Sequence, residues 1–101
     1  MNPSEALLVV AAYLVGSIPF GLLAAKMKGM DIREHGSGNI GATNVFRICG
    51  KGMGSAVFIL DVLKGLIPVL AAQRFAPGTD GLIPIFCGVA SILGHNFPVW
   101  L

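Results

Sequence analysis

Apolar residues gather into three long runs separated by polar stretches, and within the runs there is almost no alternation with polar positions. The first run covers about 6–25, reads ALLVVAAYLVGSIPFGLLAA and carries no charge. A helix rises about 1.5 Å per residue, so roughly 20 such residues cross the hydrocarbon core of a bilayer. Glu5 stands where a signal peptide would carry a basic segment, and the run is longer than a typical signal core. A retained membrane helix is therefore predicted. Pro19, with Gly16 and Gly21 around it, predicts a kink of the kind membrane helices tolerate. The second run, about 53–72, reads MGSAVFILDVLKGLIPVLAA, and the third, about 82–101, reads LIPIFCGVASILGHNFPVWL. Gly94-His95-Asn96 interrupts the third run, Pro98 follows, and Trp100 suits the headgroup zone. His95 and Asn96 are thus expected near one membrane face.

Composition strengthens this picture. Hydrophobic residues make up 54% of the 101 residues and charged residues 12%, against about a quarter charged in a soluble domain. The mean hydropathy is +0.79. The predicted fold is all-α, a polytopic membrane bundle with about three transmembrane helices, with membrane lipids as surroundings. Residues 1–101 read as one transmembrane domain, and the apolar end without a polar tail suggests a truncated sequence.

A net charge of +2, with basic residues not interleaved with aromatics, argues against nucleic acid as a partner. Cys49 and Cys87 form no C-x-x-C pair, and no Cys/His set has metal-ligand spacing. No disulfide, metal or cofactor is expected.

Charge changes the picture once more, through topology. The segment 26–52 holds Lys26, Lys28, Arg33, Arg47 and Lys51, five of the seven basic residues, whereas the hairpin 73–81 holds Arg74 and Asp80. Basic excess in a short loop marks the cytoplasmic side. The N-terminus is then outside and the long loop cytoplasmic. His95 and Asn96 fall on the loop's face.

Asp61 and Lys64 sit inside the second run, three residues apart, where they share a helix face and can pair. Each alone would cost roughly 2.5–3.5 kcal/mol at a helix centre. They read either as a structural pair locking this helix to its neighbours or as a support for a functional site.

The polar stretch His35-Gly36-Ser37-Gly38-Asn39-Ile40-Gly41-Ala42-Thr43-Asn44-Val45-Phe46-Arg47 is the candidate for chemistry. Glycines bring backbone N–H groups close to a ligand, and successive N–H groups form an anion-binding nest. Ser37, Thr43 and Asn44 add side-chain donors, and Arg47 adds a planar charged fork suited to phosphate. A helix starting near Thr43 would aim its positive end at the anion. The spacing matches neither a P-loop nor G-x-G-x-x-G. On these residues alone, a flexible turn between two membrane helices is the other reading. His95 reads either as a capping or snorkelling histidine or as an acid–base or phosphate-contact group. His35 reads as a loop residue.

Taken together, Gly16-Ser17-Ile18-Pro19-Phe20-Gly21, Asp31-Ile32-Arg33, Ser37-Gly38-Asn39-Ile40-Gly41-Ala42-Thr43-Asn44, Leu60-Asp61-Val62-Leu63-Lys64-Gly65 and Gly94-His95-Asn96-Phe97-Pro98 resemble the bacterial membrane glycerol-3-phosphate acyltransferase family that uses acyl phosphate, the PlsY family. The resemblance runs along essentially the whole chain in order. It implies transfer of an acyl group from acyl phosphate to the 1-hydroxyl of glycerol 3-phosphate, giving lysophosphatidic acid and phosphate in phospholipid synthesis. It also implies a helical bundle in the bacterial inner membrane with a cytoplasmic site. Ser37 through Asn44 match that family's phosphate-binding loop, Arg47 a basic residue that contacts substrate phosphate, and His95 with Asn96 the start of a second motif. The candidate catalytic residues are Ser37 and His95. Gly38, Asn39, Gly41, Ala42, Thr43, Asn44, Arg47 and Asn96 are the candidate phosphate-binding residues. The family continues with a Gly-Gly-Lys-Gly segment and further helices beyond what this chain holds, so the 101 residues alone are expected to be inactive. The rival reading is a non-enzymatic membrane protein or an anion-transporter segment, because Gly/Pro-interrupted helices beside a polar loop also occur in transporters.

Overall fold

The computed structural model describes residues 1–76 and 81–100, and all its regular elements there are helical. In order they are α1 (Pro3–Gly16), α2 (Phe20–Met27), a single 3-10 turn (Ile32–Glu34), α3 (Ala42–Cys49), α4 (Lys51–Phe75) and α5 (Leu82–Asn96). Asp80 and Leu101 lie outside the described residues.

Local chemistry explains most boundaries. α1 opens with a capping box: the Glu5 N–H donates to Asn2 Oδ1 at 2.9 Å and the Asn2 N–H donates to Glu5 Oε1 at 3.0 Å. Pro3 occupies the first turn, where its missing N–H costs nothing. The expected kink is present as a break at residues 17–19. Pro19 has no N–H to donate and restricts Ile18, so α1 stops and α2 restarts at Phe20. Pro3–Met27 nevertheless forms a 25-residue apolar stretch long enough to cross a membrane, as does α4. At about 1.5 Å per residue α4 is about 37 Å long.

The third run departs from its expected length. α5 has 15 residues and stops at Asn96, so the helix covers about 22 Å. Pro98 is the cause, since the residue before a proline is pushed out of the helical region, and Phe97 sits at φ −130°. The long polar segment is also more structured than a plain loop, because it contains the 3-10 turn and α3.

The chain divides into two compact units, residues 1–18 with 63–101 and residues 19–62. In the first, α1 and α5 pack through small residues. A methyl group at Gly16 would overlap the Ser91 backbone, and one at Gly94 would overlap the Tyr13 carbonyl and come 2.8 Å from the Ser17 nitrogen. Backbones approach this closely only where side chains are absent, the usual device of helix pairs in lipid. The Tyr13 hydroxyl donates to the Phe97 carbonyl at 2.7 Å and the Trp100 indole N–H to the Leu14 carbonyl at 3.3 Å. The core here is made of Ala12, Ala72, Ala76, Ile83, Cys87 and Ala90. Lys64 is buried and donates to the Ile18 carbonyl, while Asp61 is half-buried.

In the second unit Leu22, Ala25, Ile32, Val45, Cys49 and Val57 form the core beneath the polar segment. Cys49 and Cys87 are both free, buried thiols, each in its own core.

The surface is inverted relative to a water-soluble protein. Leu7, Val10, Phe58, Ile59, Ile67, Ile85, Val89 and Ile92 are all at least half exposed. Apolar surface on this scale marks contact with lipid or with other apolar helices.

Candidate functional site

The polar segment is organised around one buried side chain. Asn44, in the first turn of α3, is 2% exposed. Its Oδ1 accepts from the Ser37 N–H at 3.2 Å. Its Nδ2 donates to the His35 and Asn39 carbonyls, each at 3.0 Å, with the Ile32 carbonyl at 3.5 Å. Two further short-range bonds shape the turn. The Asn39 N–H donates to Ser37 Oγ at 3.3 Å, and the Gly41 N–H to Asn39 Oδ1 at 2.8 Å.

The glycines have specific duties here. Gly36 and Gly38 lie at φ +56° and +75°, a region costly for other residues. A methyl at Gly36 would also collide with Asn44 Oδ1. Gly21 of α2 lies under the segment, and a methyl there would overlap the Ile40 carbonyl.

α3 begins at Ala42 after Gly41, and no side chain caps it. Its first N–H groups therefore face the polar segment's side with the positive end of the helix. Thr43 and Arg47 are exposed and four residues apart, so they stand one above the other on α3. Ser37 and Asn39 are exposed as well. Thus the structure brings Ser37, Gly38, Asn39, Gly41, Ala42, Thr43, Asn44 and Arg47 into one unit. Asn44 turns its amide inward, whereas Ser37 is exposed and its hydroxyl oxygen accepts from the Asn39 N–H. His95 and Asn96 belong to the other unit, in the last turn of α5, with His95 half-buried and Asn96 exposed.

Flanking charges stabilise the approach to this segment. Asp31 caps the 3-10 turn by accepting from the Arg33 N–H at 3.0 Å, and pairs with its guanidinium at 2.7 Å. Those hydrogen bonds from Arg33 hold the Asp31 carboxyl down at about 2, and the same pairing raises Arg33. Lys28 donates to the Cys49 carbonyl at 3.0 Å, closing the C-terminal end of α3. Reading the sequence did not single out Gly21, Asp31 or Lys28 for these roles. An Asp two residues before an Arg at a turn was a usable signal for the cap. The Lys28 contact joins residues 21 apart and has no local signature.

A glycerol-3-phosphate acyltransferase family model matches residues 6–101. The chain belongs to the glycerol-3-phosphate acyltransferase family. The glycerol-3-phosphate acyltransferase of Aquifex aeolicus is 55% identical over 93 residues, covering 92% of this chain and 48% of that protein. That of Myxococcus xanthus is 50% identical over 95 residues, covering 93% and 49%. Among solved structures, the crystal structure of PlsY (YgiH), an integral membrane glycerol 3-phosphate acyltransferase, in its glycerol 3-phosphate form matches with a TM-score of 0.90 and 53% identity, over 97% of this chain and 48% of that one. Its lysophosphatidic acid form matches with a TM-score of 0.88 and 52% identity. The chain spans about half the length of the relatives it matches. Its all-helical fold and exposed apolar helices fit a multi-pass membrane protein of the glycerol-3-phosphate acyltransferase family.

Proposed function

We propose that this chain supplies the phosphate-holding half of an acyltransferase that moves an acyl group from acyl phosphate to the 1-hydroxyl of glycerol 3-phosphate. The observation that carries the reading is the uncapped start of α3 beside a glycine-turned segment, with Ser37, Thr43 and Arg47 exposed around it. Family membership supports the reaction class.

An acyl phosphate is an activated mixed anhydride, so no covalent nucleophile from the protein is needed. The glycerol 3-phosphate hydroxyl attacks the acyl carbon and a new ester C–O bond forms. The acyl carbon's bond to the phosphate oxygen breaks, and inorganic phosphate leaves with that electron pair. The hydroxyl proton passes to a base or to the departing phosphate. What the protein must do is hold two phosphates and orient the hydroxyl, which can lower a barrier by several kcal/mol or about 10 at most. In this reading Ser37 donates to a phosphate oxygen and Arg47 forms a charge-assisted pair with phosphate. Gly38, Asn39, Gly41, Ala42 and Thr43 line the anion's seat, His95 is the acid–base candidate and Asn96 a further phosphate contact. Acyl chains stay in the lipid. The protein sits in the bacterial inner membrane with its N-terminus outside and the basic segment 26–52 cytoplasmic, as the charge distribution favours. The 101 residues alone are inactive, since the chain spans about half of its relatives.

The test is a product assay in membranes on the full reading frame containing this chain, with labelled glycerol 3-phosphate and acyl phosphate. Acyl-phosphate-dependent lysophosphatidic acid that falls at least about a hundredfold in both Ser37→Ala and Arg47→Ala is expected, the scale set by losing an aimed donor. Product indifferent to both changes would sink the assignment.

A further inference from the structure

We propose that Asn44 is the positioning residue of this phosphate segment: its side chain touches no substrate, and it acts by holding Ser37 in place. This deepens the acyltransferase reading and rests on it.

The geometry carries the inference. Asn44 is nearly sealed from solvent, and both ends of its amide are committed. Its oxygen takes the Ser37 N–H. Its nitrogen has two protons, and the His35 and Asn39 carbonyls at 3.0 Å use both. Those partners come from either side of Ser37, so one side chain clamps the backbone entering the turn and the backbone leaving it. No side-chain donor of Asn44 remains for a phosphate. The Ser37 N–H is also occupied, which leaves the Ser37 hydroxyl as that residue's outward donor. Gly36 completes the arrangement, because any larger residue there would displace the Asn44 oxygen.

Asparagine is the side chain that fits. Aspartate could accept from Ser37 but would set a carboxylate oxygen against the His35 and Asn39 carbonyls. Alanine would take this partner from the part-buried Ser37 N–H and Asn39 carbonyl and leave the His35 carbonyl with only the Gly38 N–H, and lost partners are costly where water is partly excluded. A direct phosphate ligand would have the opposite profile: exposed, cationic or hydroxyl-bearing, and with a donor left over.

The experiment uses the full reading frame in membranes or detergent, with Asn44→Ala, Asn44→Asp, Ser37→Ala and the Asn44→Ala/Ser37→Ala double variant. Each Asn44 variant is expected to lower kcat/KM at least about tenfold and Ser37→Ala at least about a hundredfold, and the double by no more than about threefold beyond the worse single, because residues acting through one another are not additive. Backbone amide exchange over 35–41 should accelerate in Asn44→Ala while α1 and α5 stay protected. Gly36→Ala, which keeps every polar side chain, should reproduce that local acceleration and so covers the case in which Asn44→Ala does not accumulate. Losses that multiply in the double variant, or unchanged exchange over 35–41, would overturn the positioning role. A Ser37→Ala enzyme of full activity would instead overturn the site reading, and the exchange result would still decide whether Asn44 clamps the segment.

Discussion

The Lys64 ammonium donates to the Ile18 carbonyl at 3.0 Å, across 46 residues of sequence. Ile18 lies in the gap between α1 and α2, immediately before Pro19, where the helical ladder is interrupted. A buried ammonium needs partners, and so does a carbonyl at a helix break in a medium without water. The Lys64–Ile18 hydrogen bond serves both needs. Lys64→Met keeps the volume and removes the donor. It is expected to destabilise the protein by about 1–3 kcal/mol, the cost of taking the charged donor from a part-buried acceptor. Thermal unfolding in detergent should show this as a lowered midpoint, and an unchanged midpoint would mean the contact contributes nothing.

The α1–α5 crossing predicts a contrast between two glycines. At Gly94 an added methyl would overlap backbone of α1, and backbone cannot step aside as a flexible side chain can. Gly94→Ala should cost about 1–3 kcal/mol, the usual range for overpacking. Gly65, in mid-α4, has nothing beyond its chain neighbours and its own helix backbone within 4 Å of an added methyl, so Gly65→Ala should be neutral or stabilising by up to about 1 kcal/mol. Thermal unfolding of the pair checks this, and equal effects would refute the close crossing.

Beneath the polar segment, Gly21→Ala should act on the candidate site without touching it. Its methyl would push against the Ile40 carbonyl in the middle of the Ser37–Asn44 stretch. We expect activity to fall at least about tenfold, the scale on which small displacements of positioned groups act, alongside faster amide exchange over 37–41. Wild-type kinetics in this variant would show that the segment tolerates being lifted.

Asp31 gives a pH signature. Its carboxyl titrates at about 2 against an ordinary 3.8, because Arg33 hydrogen-bonds the charged form. A depressed carboxylate contributes stabilisation that is complete above 3.8 and disappears as pH falls through about 2. The local cap of the 3-10 turn should therefore loosen only in strong acid. A carboxyl NMR titration should find the midpoint near 2, and Arg33→Ala should return it toward 3.8. A wild-type midpoint near 3.8 would show that the pair does not persist in solution.

Much of the fold was legible in the linear pattern. The runs at 6–25 and 53–72 correspond to the stretches Pro3–Met27 and Lys51–Phe75, and the break at Pro19 fell where its missing N–H required. The third run was read too long because its apolar character continues past Pro98 while its helix cannot. For the site, the glycine and asparagine content of residues 36–44 announced an unusual backbone, and Gly36 and Gly38 do take positive φ. The inward commitment of Asn44 was not announced. As a side chain it is equally able to donate outward, and only the closure of Ile32, His35, Ser37 and Asn39 around it removes that option.

What the sequence determined by itself are properties that add up along the chain: apolar length, proline breaks, and the charge excess of residues 26–52. Each follows from residue identity and its immediate neighbours. What only the tertiary structure decided are pairings: Lys64 with Ile18, Tyr13 with Phe97 across 84 residues, Gly94 with the backbone of α1, and Asn44 with the turn it clamps. The physical reason is that a hydrogen bond or a backbone contact depends on distances of about 3 Å. Such distances are set by how whole helices close on one another, and no local run of residues carries that information.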